Sequence, residues 1–479
     1  MKFFGFHKRN NSMDMTSGNL FLKMGLFSLP VMLTTAMQLL YVTIDLTTVH
    51  YGDSAESMGA IASNNALINL IVVVFTGVSL GVNVIMSEAK GANDPEKASK
   101  VMHTSLLFAL ISGVFVGVVG LLISDDLLRM MGTEAHYLEK ATLYLRIYFC
   151  GLPFLMIYNY AAQMLRAQGD SRMPFLILTV SGLINVAFDC LFVFPLHMGV
   201  AGVALATIIS EGVSCVLGVL ALAKRKDAYV RFSFKKLRID RKSLHEVLRV
   251  GLPAGLQGFF FSLPNVFIQS SLYTIDPGNV QLENGATAAA NIEGYFYTGV
   301  DALATSVMTF IAANVGAKKK ENIPKCLLYA MGWGVGFIGL VALATAFLHR
   351  PLLSLFVDTE ESIAAGRDRL YMIGFLYIFE LTMAVSAGAL RGLRHSTYPM
   401  VTTLVSCTGL RILLILTVFP LPYFHTVTWL YALFPITWII ASISNGIALA
   451  VYMPRTMRRI EGEEAPSIEE EALGEEAPE

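Results

Sequence analysis

The chain has 479 residues, of which 54% are hydrophobic and only 15% charged, whereas a soluble domain carries about 25% charged residues. With a mean hydropathy of +0.59 and apolar runs longer than the about 20 residues needed to cross a bilayer, a soluble cytosolic enzyme is excluded. The net charge of −1 averages two unlike regions: residues 461–479 hold nine Glu and no Lys or Arg, leaving +8 on the rest.

In chain order, a polar segment over residues 1–20 has no hydrophobic stretch with a cleavage site, so no cleavable signal peptide is expected. Apolar runs bounded by charge, Gly and Pro then predict helices over 21–50, 58–88, 98–123, 139–164, 173–194 and 200–223. A basic linker, 224–247, separates these from six more, over 248–275, 286–315, 325–348, 369–390, 398–419 and 429–452. The N-terminal lobe is thus 21–223, the C-terminal lobe 248–453, and the cytoplasmic tail 454–479, acidic and expected to be disordered from 461. Lys and Arg fall 28 to 6 in favour of the side bearing both termini, which predicts cytoplasmic termini in a multi-pass inner (cell) membrane protein. The ten basic residues of Lys224 to Arg249 then face anionic lipid headgroups rather than nucleic acid. Cys150, Cys190, Cys215, Cys326 and Cys407 form no paired motif, so neither zinc nor disulfides are expected.

The two halves repeat. Leu29-Pro30 returns as Leu252-Pro253, Gly91-Ala92 as Gly316-Ala317, Leu165-Arg166 with Pro174 as Leu390-Arg391 with Pro399, and Val193-Phe194-Pro195 as Val418-Phe419-Pro420. Six is an even number of spans, so the halves share one orientation. The expected fold is an all-α polytopic membrane protein, with twelve transmembrane helices in two six-helix lobes related by a parallel pseudo-twofold repeat. Two such lobes enclose a cleft suited to alternating access, and one chain supplies both, so a monomer suffices.

Ionisable residues within spans are costly and mark function. At the repeat offset Asp45 corresponds to Ile268, Asn185 to Leu410, Asp189 to Leu414 and Thr207 to Ala432. The scaffold therefore builds these places without polar groups in the other half. Asn185 and Asp189, four residues apart, share a helix face. The four fall at one depth and offer hard oxygen donors fit for Na⁺; two close carboxylates also suit proton carriage, because repulsion favours holding one proton between them. Tyr144 is placed to join them, Glu211 to extend the set, and Tyr41 to pack. His103 is expected at a solvated surface. In the C-terminal lobe Glu293, Asp301 and Glu380 read either as counter-ions for a cationic substrate or as groups paired with Arg411 or with backbone, with Gln257 nearby. Pro30, Pro253 and Pro264 interrupt helices one and seven, and Pro30 is a candidate hinge.

The pieces MTSG (Met15–Gly18), LLYVTID ending at Asp45, SEAKGAND (Ser87–Asp94), LRAQGDSRMP (Leu165–Pro174), NVAFD (Asn185–Asp189) and GVAGVALAT (Gly199–Thr207) follow in an order that resembles the multidrug and toxic compound extrusion (MATE) family of cation-coupled exporters. The resemblance covers residues 15–455. It implies a cation-coupling site at Asp45, Asn185, Asp189 and Thr207, transported Na⁺ or H⁺ with no bound cofactor, and amphipathic, often cationic small-molecule substrates. One branch of the family carries a further acidic residue in helix seven, where this chain reads GLPAGLQ with Gln257. No Walker A sequence, HExxH or nucleophile elbow is present, so neither an ATP-driven pump nor an enzyme is expected. The alternative is a lipid-linked oligosaccharide flippase of a related two-lobe family; against it, Arg411 reads as the only basic residue inside a span.

Overall fold

The computed structural model describes residues 12–224 and 229–462; the acidic tail beyond 462 lies outside them. Among the described residues there is no strand. The twelve helices are α1 (Leu20–Gly52), α2 (Ala55–Gly91), α3 (Pro95–Met130), α4 (Ala135–Ala167), α5 (Arg172–Val193), α6 (Gly199–Lys224), α7 (Arg241–Ile275), α8 (Val280–Gly316), α9 (Asn322–Leu353), α10 (Glu360–Gly392), α11 (Thr397–Thr417) and α12 (Val427–Glu461). Asn19, Ser54, Asp94, Asp240, Asn279, Thr359 and Thr426 each accept an amide hydrogen bond at a helix start, satisfying donors that the helix cannot. Eleven of the twelve are long and apolar enough to cross a membrane unaided. The exception, α7, opens with Arg241, Lys242, Glu246 and Arg249, and begins well before residue 248.

The repeat is built into the backbone. Asn93 and Lys318, 225 residues apart, both take left-handed φ values of 56°, and Gly169 (83°) pairs likewise with Arg394 (67°). The lipid-facing surface repeats too. Leu110, Phe115, Val118 and Leu122 stand exposed on α3, and Val335, Leu340, Leu343 and Phe347 occupy the matching places on α9. Apolar bands of this size on a soluble surface would aggregate; in a bilayer they meet acyl chains.

Two apolar cores result, one per lobe, and the first helix of each lobe contributes to both. Met24, Phe27 and Val31 of α1 are buried in the C-terminal core, whereas Met37, Tyr41, Leu46 and Val49 belong to the N-terminal one. In α7 the exchange is mirrored: Val247 and Val250 join the N-terminal core, and Phe261, Ile268 and Leu272 the C-terminal one. Pro30 and Pro253, the repeat-paired prolines, fall at or next to these changeovers. Neither can donate to the carbonyl one turn back.

The lobes meet near the end that carries the N-terminal segment, here called the basic face. A Cβ at Gly81 would overlap the Val247 carbonyl, one at Gly251 the Val78 carbonyl, and one at Gly255 the Val74 carbonyl. Thr309 donates to Asn83 across the lobes at 3.0 Å, and Ser28 to Ser306 at 2.9 Å. Arg394 forks onto Glu88 at 2.6 and 2.9 Å and reaches Glu246 at 3.1 Å; Lys97 binds Glu246 at 3.0 Å. The segment before α1 straps across the same face. Ser12 and Met13 bond to Gln168 and Gly169 of the N-terminal lobe, while Met15 and Thr16 accept from Asn314, Lys319 and Asn322 of the other.

Candidate functional site

Asp45 lies one turn beyond Tyr41 on α1, whose ring sits where a Cβ at Gly182 of α5 would be. Tyr41 also donates to the Leu178 carbonyl at 3.3 Å. Tyr41 therefore packs α1 onto α5, which brings Asp45 to the face bearing Asn185 and Asp189. The Asp45 carboxyl lies beside Asp189 and Thr207, close enough to interact with both, although no hydrogen bond joins the three. The Thr207 hydroxyl gives its proton to the Val203 carbonyl at 3.0 Å. Asp189 is fully buried, Asn185 4% exposed and Asp45 8%.

Hydrogen-bond accounting isolates this cluster. Both Asp189 oxygens, Asp45 Oδ1 and the Asn185 amide nitrogen are buried without a partner among the described residues. Two ionised carboxylates only accept, so facing each other they need a proton or a cation between them. Tyr144 is buried within electrostatic reach of both aspartates and of Glu211. The Glu211 carboxyl points across to Gly151 on α4 with one oxygen unpartnered. No set of three His, Cys, Asp or Glu side chains suited to a resident metal occurs among the described residues. Oxygen donors of this kind are chemically suited to a hard cation or a proton.

In the C-terminal lobe the mates of this cluster are apolar. Ile268 is buried in the core and Leu414 packs against it. The Leu410 position closes a π-helical stretch, Thr403–Leu410, that interrupts α11 and has no counterpart in the regular α5. The C-terminal acidic residues part company. Glu293 is held by Arg369 through two bonds of 2.9 and 2.8 Å, and Arg369 also lies over the Tyr431 and Phe434 rings. Arg411, proposed as a partner for these acids, instead bonds the Thr437 hydroxyl at 2.5 Å and stacks on Phe434. Glu380 is buried with one oxygen unpartnered, and Asp301 is half-buried on α8. Gln257 accepts from Arg391 at 2.7 Å.

Two sequence expectations are corrected. His103 is not solvated: it is 2% exposed, bonded to the Ser99 carbonyl at 2.7 Å, and accepts from the Ser233 amide at 3.0 Å, pinning the linker to α3. Nor is Arg411 the only basic side chain within the helices. Arg166, Arg369 and Arg391 are set into α4 and α10, because these helices run past the limits that hydropathy draws for them.

A multi-pass bundle of two repeated lobes, sealed at one face and carrying a one-sided buried carboxyl pair, has the architecture of a secondary transporter. The MatE family model matches residues 30–191 and 265–417, and the chain belongs to that family, the MATE transporters. It is similar to a probable multidrug resistance protein, YpnP, of Bacillus subtilis, with 26% identity over 399 residues, 83% of this chain and 88% of that one. An FAD transporter of Shewanella oneidensis is 27% identical over 307 residues, covering 63% of this chain and 67% of its own. Among solved structures, an outward-facing multidrug resistance MATE transporter superposes with a TM-score of 0.79 over 95% of this chain and 97% of that one, at 23% identity.

Proposed function

We propose that this transporter is a cation-coupled antiporter in the cell membrane, its termini cytoplasmic, exporting amphipathic and often cationic organic compounds in exchange for Na⁺ or H⁺. The observation that carries this reading is the Asp45–Asp189 pair: two buried carboxyls facing each other, without donors, where the other lobe is apolar. Without a cation the pair repels; with one, α1 and α5 draw together. Because the first turns of α1 are seated in the other lobe, that movement bends the helix near Pro30 and is felt at the lobe contacts. Cation binding thereby favours one state of the cleft and substrate the other, and each weakens the other's binding. Asp301 and Glu380 are the remaining counter-ion candidates for a cationic group; Glu293 is already neutralised by Arg369.

The test is efflux of ethidium from loaded cells or vesicles with the Na⁺ and H⁺ gradients varied independently. Export that follows one gradient names the ion. Export indifferent to both, with the protein present in the membrane, overturns the coupling. The comparisons do not favour the flippase alternative.

A further inference from the structure

The linker ahead of α7 is fastened to α3 at three points. The Ser233 amide donates to His103 Nε2 at 3.0 Å, and Thr104 donates to the Arg238 carbonyl at 3.3 Å and accepts from the Asp240 amide at 3.0 Å. Phe232 stacks on the His103 ring at 5.4 Å, and Phe234 stands edge-on to Phe232 at 4.9 Å. The repeat does not account for this arrangement, because the mates of His103 and Thr104 are Leu328 and Tyr329.

Between the fastened linker and the first turns of α3 lies a cavity of about 560 Å³. Lys100, Lys235, Lys236 and Arg238 line it against two acids, Glu96 and Asp240, a surplus of two positive charges. Glu96 is already taken by Lys100 at 2.9 Å, and Asp240 caps α7 by accepting from the Ser243 amide at 2.8 Å. Lys235, Lys236 and Arg238 form no ion pair among the described residues. His103, which accepts at Nε2, adds no charge of its own. The surplus is thus carried by side chains whose backbone is held still, ready for an anion.

One wall of the cavity runs on into the bilayer. Lys100 and Ile111 are eleven residues apart, about three helical turns, so they share a stripe of α3 and lie about 16 Å apart along it. Ile111, Val114 and Val118 on that stripe are exposed where acyl chains pack. Beside the lining residues in the chain, Phe234 is 74% exposed and Ile239 42%. A soluble anion has no use for this apolar surround. A phospholipid, whose phosphate precedes two acyl chains, matches both parts.

We propose that this cavity binds one anionic phospholipid from the leaflet at the basic face, its phosphate held by Lys235, Lys236 and Arg238 and its acyl chains following the α3 stripe. Attraction of a basic surface to headgroups is diffuse; a site holds one lipid in one place. The proposal needs only that the bundle lies in a bilayer, and it is independent of the export reading.

The experiment titrates the detergent-solubilised full-length protein with dioleoylphosphatidylglycerol or dioleoylphosphatidylcholine and counts bound lipid by native mass spectrometry. The first phosphatidylglycerol should bind roughly tenfold tighter than the first phosphatidylcholine. Lys235→Gln/Lys236→Gln changes two exposed side chains that hold nothing in the fold, and should cut that preference by about fivefold or more. Arg241→Gln/Lys242→Gln removes the same charge from the adjacent start of α7, outside the cavity, and should leave most of the preference in place. Glycerol 1-phosphate in millimolar excess should not displace the lipid. Equal losses in the two double variants would mean diffuse attraction and overturn the site, as would the absence of any preference in the wild type. Displacement by glycerol 1-phosphate would give the cavity to a soluble phosphate and overturn the lipid.

Discussion

Gly91 and Gly316, related by the repeat, meet across the pseudo-twofold axis in a reciprocal contact: a Cβ on Gly91 would overlap the Ala313 carbonyl, and one on Gly316 the Glu88 carbonyl. The last turns of α2 and α8 thus touch backbone to backbone, and no larger residue fits while the basic face is shut. Overpacking of such a contact costs about 1–3 kcal/mol. Charged against the shut state alone, that is a shift of about 5- to 150-fold in the balance between conformations. Gly316→Val should insert into the membrane normally and lose most export. Its basic-side cysteine accessibility, probed at Asn83→Cys with a membrane-impermeant maleimide, should rise. Unchanged accessibility would refute this role.

The Asn83–Thr309 contact gives a complementary lock. A short bifunctional thiol reagent applied to Asn83→Cys/Thr309→Cys, in a background lacking the five native cysteines, should bridge α2 and α8. Export should stop, and a reductant should restore it when the linker is cleavable. Single-cysteine variants treated alike should keep their export. Bridging without loss of export would mean that α2 and α8 stay together through the cycle.

Asp189→Asn should abolish gradient-driven efflux while leaving membrane insertion intact, because a neutral amide removes the repulsion that makes the site respond to a cation. Asp45→Asn should do the same. Leu414→Asn, the mate of Asp189, should lower thermal stability through an unsatisfied buried amide, by about 1–3 kcal/mol, and leave ion dependence as it was. Efflux from Asp189→Asn at the wild-type rate would remove the carboxyl pair from the coupling mechanism.

The bundle was legible in the sequence because its determinants are one-dimensional: run length, the side on which Lys and Arg accumulate, and a 225-residue echo. The polar cluster was legible for a related reason, since replacing Asp45 and Asp189 by Ile268 and Leu414 at matching places separates scaffold from site without any second sequence. What remained hidden depends on how lobes dock. That α1 and α7 each seat their first turns in the opposite core cannot be read from hydropathy, which is apolar on both sides of Pro30 and, in the charged first turns of α7, does not say which core they meet. The burial of Arg166 is hidden because a span-end arginine reads the same whether it enters water or protein. The burial of His103 has no sequence signal because the linker amide of Ser233, which donates to its Nε2, comes from a chain path that spacing does not fix. The π-helical stretch in α11 likewise has no signal in TLVSCTGL.

The ion pair between Glu293 and Arg369 separates stability from function. Both side chains are buried, and the two bonds satisfy both carboxylate oxygens, so neutralising one partner leaves the other charge stranded. Breaking such a pair costs about 3–5 kcal/mol, whereas replacing both members by apolar groups of similar size is often neutral. Glu293→Gln should therefore lower the thermal unfolding midpoint of the purified protein markedly, and Glu293→Leu/Arg369→Met should recover most of the loss. Neither change should alter which ion drives efflux, because Glu293 is bound to Arg369 and does not touch the Asp45–Asp189 pair. If instead Glu293→Gln shifted ion dependence while leaving stability intact, the carboxylate would belong to the transport path, and Arg369 would be its gate partner rather than a strut.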